Sequence, residues 1–126
     1  SNVTPDQVAR ARTIATVVCV QNAYNLAHRH DDELIDTLAA DGIAYVPFFP
    51  LGGFSPLQSA TLDTVAARRG TTRIGAALAW LLQRSPNILL IPGTSSVAHL
   101  RENVTAAHVT LTPADLADLD TIGMST

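Results

Sequence analysis

A parallel α/β fold is predicted for this chain, and three observations predict it. Aliphatic runs at 17–20, 43–48 and 88–91 alternate with longer segments of helical periodicity. The last run, Ile88-Leu89-Leu90-Ile91, carries no charge, which suits a strand covered on both faces of a parallel sheet. Threonine-proline, acidic and glycine signals mark where the intervening helices start and stop. Such βα units connect by right-handed crossovers. Three strands cannot close an eight-stranded barrel, which takes about 250 residues, and the chain has 126.

Each element has its own warrant. Thr4 caps a first helix, Pro5 suits N1 and Gln7 completes a capping box, with the helix expected to reach about Ala15. Val17 to Val20 is a strand ending at Gln21. Cys19 lies within that apolar run and is expected to be a small buried hydrophobe; a single cysteine forms no internal disulfide. Asn22 to Asp31 is loop. Asp31-Asp32-Glu33 then places acids at the positive end of a helix whose stripe is Leu34, Ile35 and Leu38 and whose C′ residue is Gly42.

Ile43 to Phe48 is the second strand, and Phe49 to Pro56 is an irregular Gly/Pro-rich loop. Leu57 to Arg69 reads as a helix stopped by Gly70. Thr71 or Thr72 caps the next helix, which runs through Arg84 with Ile74, Leu78, Leu81 and Leu82 on its apolar face and Trp80 as a large buried group. Ser85-Pro86-Asn87 turns into the last strand, which Pro92-Gly93 stops. Thr94, Ser95 and Ser96 offer caps for the helix that follows. Thr112-Pro113-Ala114-Asp115 starts a final helix to about Ile122, ended by Gly123, before a loose tail. The whole, residues 1–126, reads as one domain without repeats.

Composition narrows function. The chain is 47% hydrophobic and 15% charged, with a net charge of −3 and no basic run, which argues against a nucleic-acid surface. No apolar stretch approaches the length of a membrane span, and no signal peptide is visible, so a cytoplasmic setting is expected. The first residue is not methionine, which reads as a processed, cut or partial chain or as a cloning remnant. All 8 basic residues are arginine. Lysine chemistry, whether Schiff base, P-loop or assisted acid catalysis, is therefore closed to these residues.

In parallel α/β structures ligands bind beyond the carboxyl ends of the strands. Here those ends carry Ser1-Asn2, Gln21-Asn22, Phe48 to Gly52 and Gly93 to Ser96. Amides, hydroxyls, aromatic rings and backbone N–H groups suit a neutral amide, a flat ring and a phosphate, and are poor at proton transfer. The start of the helix after Ser96 attracts phosphate through its exposed N–H groups and dipole. His99, Glu102 and Asn103 share a helical face that could hold a flat polar group. A capped helix with no ligand accounts equally well for those residues taken alone. His28, His30, Asp31 and Asp32 superficially suggest a metal site, but no further ligands converge, and none is expected. His108 is expected at the surface.

Four motifs in order carry a resemblance. Ser1-Asn2, Gln21-Asn22-Ala23-Tyr24-Asn25 with Arg29, Gly42-Ile43 through Pro50-Leu51-Gly52, and Ile91-Pro92-Gly93-Thr94-Ser95-Ser96 followed by His99-Leu100-Arg101-Glu102-Asn103 resemble the aldo-keto reductase family. Ala77 to Leu82 resembles the helix before its last strand. All belong to the C-terminal half of that family's (β/α)8 barrel. The resemblance implies an NAD(P)H-dependent oxidoreductase reducing aldehydes or ketones by hydride transfer. It places Ser1, Asn2 and Gln21 at the nicotinamide carboxamide and Phe48 where an aromatic, usually Tyr or Trp, stacks on that ring. Pro50, Leu51 and Gly52 fall near the pyrophosphate, Gly93, Thr94, Ser95 and Ser96 at the 2′-phosphate, and His99, Glu102 and Asn103 at adenine. NADPH is the implied cofactor, with NADH open, because the usual Lys or Arg of the phosphate turn is absent. The Asp, Tyr, Lys and His of the family's catalytic tetrad come from the other half, so no catalytic residue is assigned here. Tyr24 and Tyr45 match later positions and are not proton donors. The chain alone is expected to be inactive, and either a missing first half or self-association would complete it; a truncated or engineered half-barrel is the alternative.

Overall fold

The computed structural model describes residues 1–52 and 59–124. The elements are α1 (Pro5–Arg12), β1 (Cys19–Val20), α2 (Asp32–Ala40), β2 (Ala44–Tyr45), α3 (Ala60–Arg68), α4 (Arg73–Arg84), α5 (Val97–Thr105) and α6 (Pro113–Asp120). Helix and strand alternate as expected, and β1 pairs with β2 in parallel, Cys19 opposite Ala44 and Val20 opposite Tyr45. A third strand joins by the parallel bridge of Tyr45 to Ile88.

The parallel ladder runs further than the named strands. Ala44 N–H donates to Val18 O at 3.1 Å, Val46 to Val20 at 2.8 Å and Phe48 to Asn22 at 2.9 Å. On the other side of β2, Tyr45 N–H donates to Asn87 O and Leu89 N–H returns to Tyr45 O, both at 2.9 Å. The next donor on that side falls at Pro47, which has no N–H. That accounts for a third strand held chiefly through Tyr45.

The helices carry their expected signals. Thr4 and Gln7 form a full capping box on α1, Thr72 caps α4, and Thr112 with Asp115 forms a second box on α6. Gly42 sits past α2 at φ +68, a conformation that suits glycine. α1 ends at Arg12, short of Ala15, because Thr13 and Ile14 turn back on Arg10 and Ala11 carbonyls. The Leu57 start expected for α3 and part of the Phe49–Pro56 loop lie outside the described residues, as does the end of the tail; Ser59 caps α3 by accepting from Leu62 N–H.

The core lies between the sheet and α2, α3, α4 and α6. Leu78, Trp80 and Leu81 of α4 are fully buried, while Ile74 and Leu82 are only half-buried. Trp80 stacks on Tyr24 with ring centroids 6.0 Å apart, lies 5.0 Å under the Arg29 guanidinium, and donates its N–H to Asp120 Oδ1 at 3.0 Å. That acid also receives Arg29 at 2.8 Å, so α6 is latched to the sheet side of α4.

Two burial expectations fail. Cys19 is exposed, because it sits on the sheet face opposite Val20 and nothing described covers that face. The aliphatic run at 88–91 is not covered on both faces: Ile88 is buried and Leu90 packs on the core, but Leu89 is 57% and Ile91 50% exposed. Strand alternation turns both outward, to the same uncovered face.

Candidate nucleotide site at the strand ends

The carboxyl ends of the strands bring most of the expected residues to one end of the sheet. Asn2, in a left-handed conformation at φ +54, donates its N–H to Gln21 O at 3.0 Å, which sets Ser1 and Asn2 beside the end of β1. Ser1 and Asn2 are exposed and Gln21 is half-buried. Asn22 holds this arrangement. Its Oδ1 accepts from Val3 N–H at 3.0 Å, and its Nδ2 donates to Val3 O at 2.8 Å and Asp31 Oδ2 at 2.7 Å.

Beyond β2 and the third strand lies a cleft of about 330 Å³ lined by Phe48, Phe49, Pro50, Leu51, Ile91, Pro92 and Gly93. Its walls are apolar and aromatic, and a side chain built on Gly93 would meet open space. Those two features fit a flat ring approached by backbone. The turn at its rim is tight: Gly52 N–H donates to Phe49 O at 3.0 Å, with Pro50 at the second position and Gly52 at φ +93.

The Gly93–Ser96 turn is used partly for capping. Thr94 Oγ1 accepts from Ser96 N–H at 3.1 Å, and Ser96 Oγ accepts from His99 N–H at 3.4 Å. Ser95 is exposed, and the first turn of α5 opens to the surface. His99 is exposed and Asn103 half-buried. The Glu102 carboxylate accepts from the Thr72 hydroxyl, so it is tied to the start of α4. Arg101 is exposed.

Both tyrosines are fully buried away from the cleft and meet edge-to-face at 5.9 Å. Burial, then the bond to Asp32, pushes the Tyr24 hydroxyl well above its usual range; burial, then Asp31, does the same to Tyr45. Tyr45 donates to Asp31 Oδ2 at 2.8 Å. Asp31 is thus an inward carboxylate: it precedes α2 but makes no capping bond there. Among the described residues no group of three His, Cys, Asp or Glu side chains comes together to hold a metal. His108 is at the surface.

Residue 1 to residue 123 match the profile of the aldo/keto reductase family. The chain belongs to that family. It is 70% identical over 122 residues to pyridoxine 4-dehydrogenase of Escherichia coli (strain K12), covering 97% of this chain and 43% of that protein. It superposes with a TM-score of 0.88 on a thermostable aldo-keto reductase crystallised with epalrestat, at 30% identity over 97% of this chain and 46% of the other. A further aldo-keto reductase, crystallised with NADPH, shares the fold at a TM-score of 0.81 and 24% identity, covering 96% and 40%. The chain therefore spans under half the length of these relatives and corresponds to roughly half of a (β/α)8 barrel.

Sequence reasoning put Phe49 among the strand-end residues without assigning it a role, and it missed the inward turn of Asp31. The structure sets Phe49 in the wall of the cleft with a left-handed backbone, which the sequence does not show. Asp31 was read as a helix-start acid, and local sequence does not show that its side chain turns inward. The pairing of Asn22 with Val3 had a signal in the Gln-Asn pair at a strand end.

Proposed function

We propose that this chain is the C-terminal half of an NAD(P)H-dependent aldo-keto reductase barrel and supplies its nicotinamide dinucleotide site. One observation carries the reading: Asn2 and Gln21, the Phe48 cleft and the Gly93–Ser96 turn all lie at the carboxyl ends of parallel strands. In this reading Ser1, Asn2 and Gln21 hold the carboxamide, since amides both donate and accept. Phe48 stacks on the ring. Pro50, Leu51 and Gly52 approach the pyrophosphate by backbone, Gly93, Thr94, Ser95 and Ser96 meet the ribose phosphate, and His99, Glu102 and Asn103 flank adenine. Bound there, the nicotinamide supplies or accepts the hydride. The chain's residues orient that ring and hold it against the sheet; the proton is handled by residues outside this chain.

The 70% identity to pyridoxine 4-dehydrogenase supports the primary alcohol and aldehyde of a pyridoxine-type ring as substrate pair. The full-length protein is expected to bind NADPH, seen as enhanced and blue-shifted nicotinamide fluorescence, and to oxidise NADPH with pyridoxal. The 126-residue chain alone is expected to show no turnover. Absence of both NADPH and NADH binding in the full-length protein would overturn the reading.

A second reading has its own observation. Ile14 and Val18 at one flank, and Leu89, Ile91, Val97, Leu100 and Val104 at the other, are exposed apolar groups. Such flanks support association, with a completing half-barrel or with a second copy.

A further inference from the structure

We propose that Phe49 is a positioning residue for the dinucleotide ring: it forms a second aromatic wall at right angles to Phe48 and so selects for a flat heteroaromatic group in the cleft. The inference rests on the cofactor reading above and adds to it a residue that the resemblance did not mark.

Phe49 is placed unfavourably by every local criterion. Its backbone is left-handed at φ +53, where a Cβ crowds the following carbonyl and glycine would fit without strain. Its ring is 46% exposed, so burial does not repay that conformation. Yet the conformation is held from two sides. Phe49 O accepts from Asn25 Nδ2 at 3.0 Å and from Gly52 N–H at 3.0 Å. Asn25 is itself buried, its Oδ1 accepting from Ala27 N–H at 2.9 Å and His28 N–H at 3.2 Å. Strain that its surroundings over-determine, at the rim of a cleft, points to use of the side chain it aims.

What it aims is a ring set against Phe48, centroids 5.3 Å apart and planes at 84°. Two perpendicular aromatic planes make a corner. A flat ring laid against one wall meets the other edge-on, and both contacts favour the ring quadrupole. Ile91 and Pro92 line the same cleft. A phosphate gains nothing from such a corner, whereas a flat ring such as nicotinamide does.

The test uses the full-length protein and two ligands, NADPH and 2′-phospho-ADP-ribose, which lacks the nicotinamide. Phe49→Gly removes the ring and keeps the backbone conformation unstrained. Phe49→Asn, a second ring-free side chain that tolerates the left-handed region, guards against a folding defect peculiar to glycine. Both variants are expected to weaken NADPH binding about three- to tenfold, the worth of one aromatic contact, with 2′-phospho-ADP-ribose affinity unchanged and Tm unchanged or raised. Phe49→Tyr is expected to retain native affinity. Native NADPH affinity in both ring-free variants, or equal weakening of both ligands, overturns the inference alone. Failure of the unmodified protein to bind NADPH overturns the cofactor reading and this inference with it.

Discussion

Single residues show where local chemistry and tertiary position part company. Asp31 and Asp32 are adjacent acids at a helix start, yet one accepts from Tyr45 and Asn22 inside the fold and the other from Tyr24 with Arg29 alongside. The two bonded hydroxyls belong to the only two tyrosines in the chain, which makes them a clean optical probe. Both have raised pKa values, through burial first and then their acid partners. A group raised above its unfolded value stabilises the fold fully below the unfolded pKa, near 10 for tyrosine, and loses that contribution as pH climbs through the raised values. Absorbance at 295 nm is therefore expected to stay flat at about pH 11 and to rise only when circular dichroism shows unfolding. A phenolate step near pH 10 with the dichroism intact would contradict the buried pair.

At the scale of elements, capping and proline decide where order begins and ends. Thr72 serves two helices: its oxygen accepts from Gly75 N–H at 3.0 Å to cap α4, and its hydroxyl donates to Glu102 of α5. Thr72→Ala is expected to destabilise by about 1 kcal/mol, the usual worth of such a cap, measured by denaturant titration. Thr72→Ser is expected to restore most of it, and an alanine variant as stable as the original would show that the cap is idle. Pro47 acts in the opposite sense. It removes the donor that would tie β2 further to the third strand, so that strand is held chiefly through Tyr45.

For the whole molecule, the dominant feature is a sheet face that nothing among the described residues covers. Cys19, Leu89 and Ile91 are exposed on it, and Val97, Leu100 and Val104 of α5 are exposed apolar groups as well. A surface of this kind drives association. The isolated 126-residue chain is expected to sediment above its 13.3 kDa monomer mass at micromolar concentration. Leu89→Asp with Ile91→Asp is expected to return it to monomer, since charges on an open face block pairing. A monomeric unmodified chain would show that the face is tolerated by itself.

The sequence by itself determined the helix limits that rest on caps and glycines, since Thr4, Thr112 and Gly42 act through bonds to residues three or four positions away, while the choice of Thr72 over Thr71 came from the structure. It also determined the parallel alternation, because the order of aliphatic runs and helical segments survives without knowledge of contacts. It misjudged Cys19, Leu89 and Ile91, whose hydrophobicity predicts burial but whose cover depends on atoms far along, or outside, the chain described. It placed Phe49 at a strand end but not its conformation, because a left-handed backbone held by Asn25, 24 positions earlier, leaves no trace in local pattern. Tertiary structure alone decided these points, for burial and strain are properties of what packs against a residue and not of the residue.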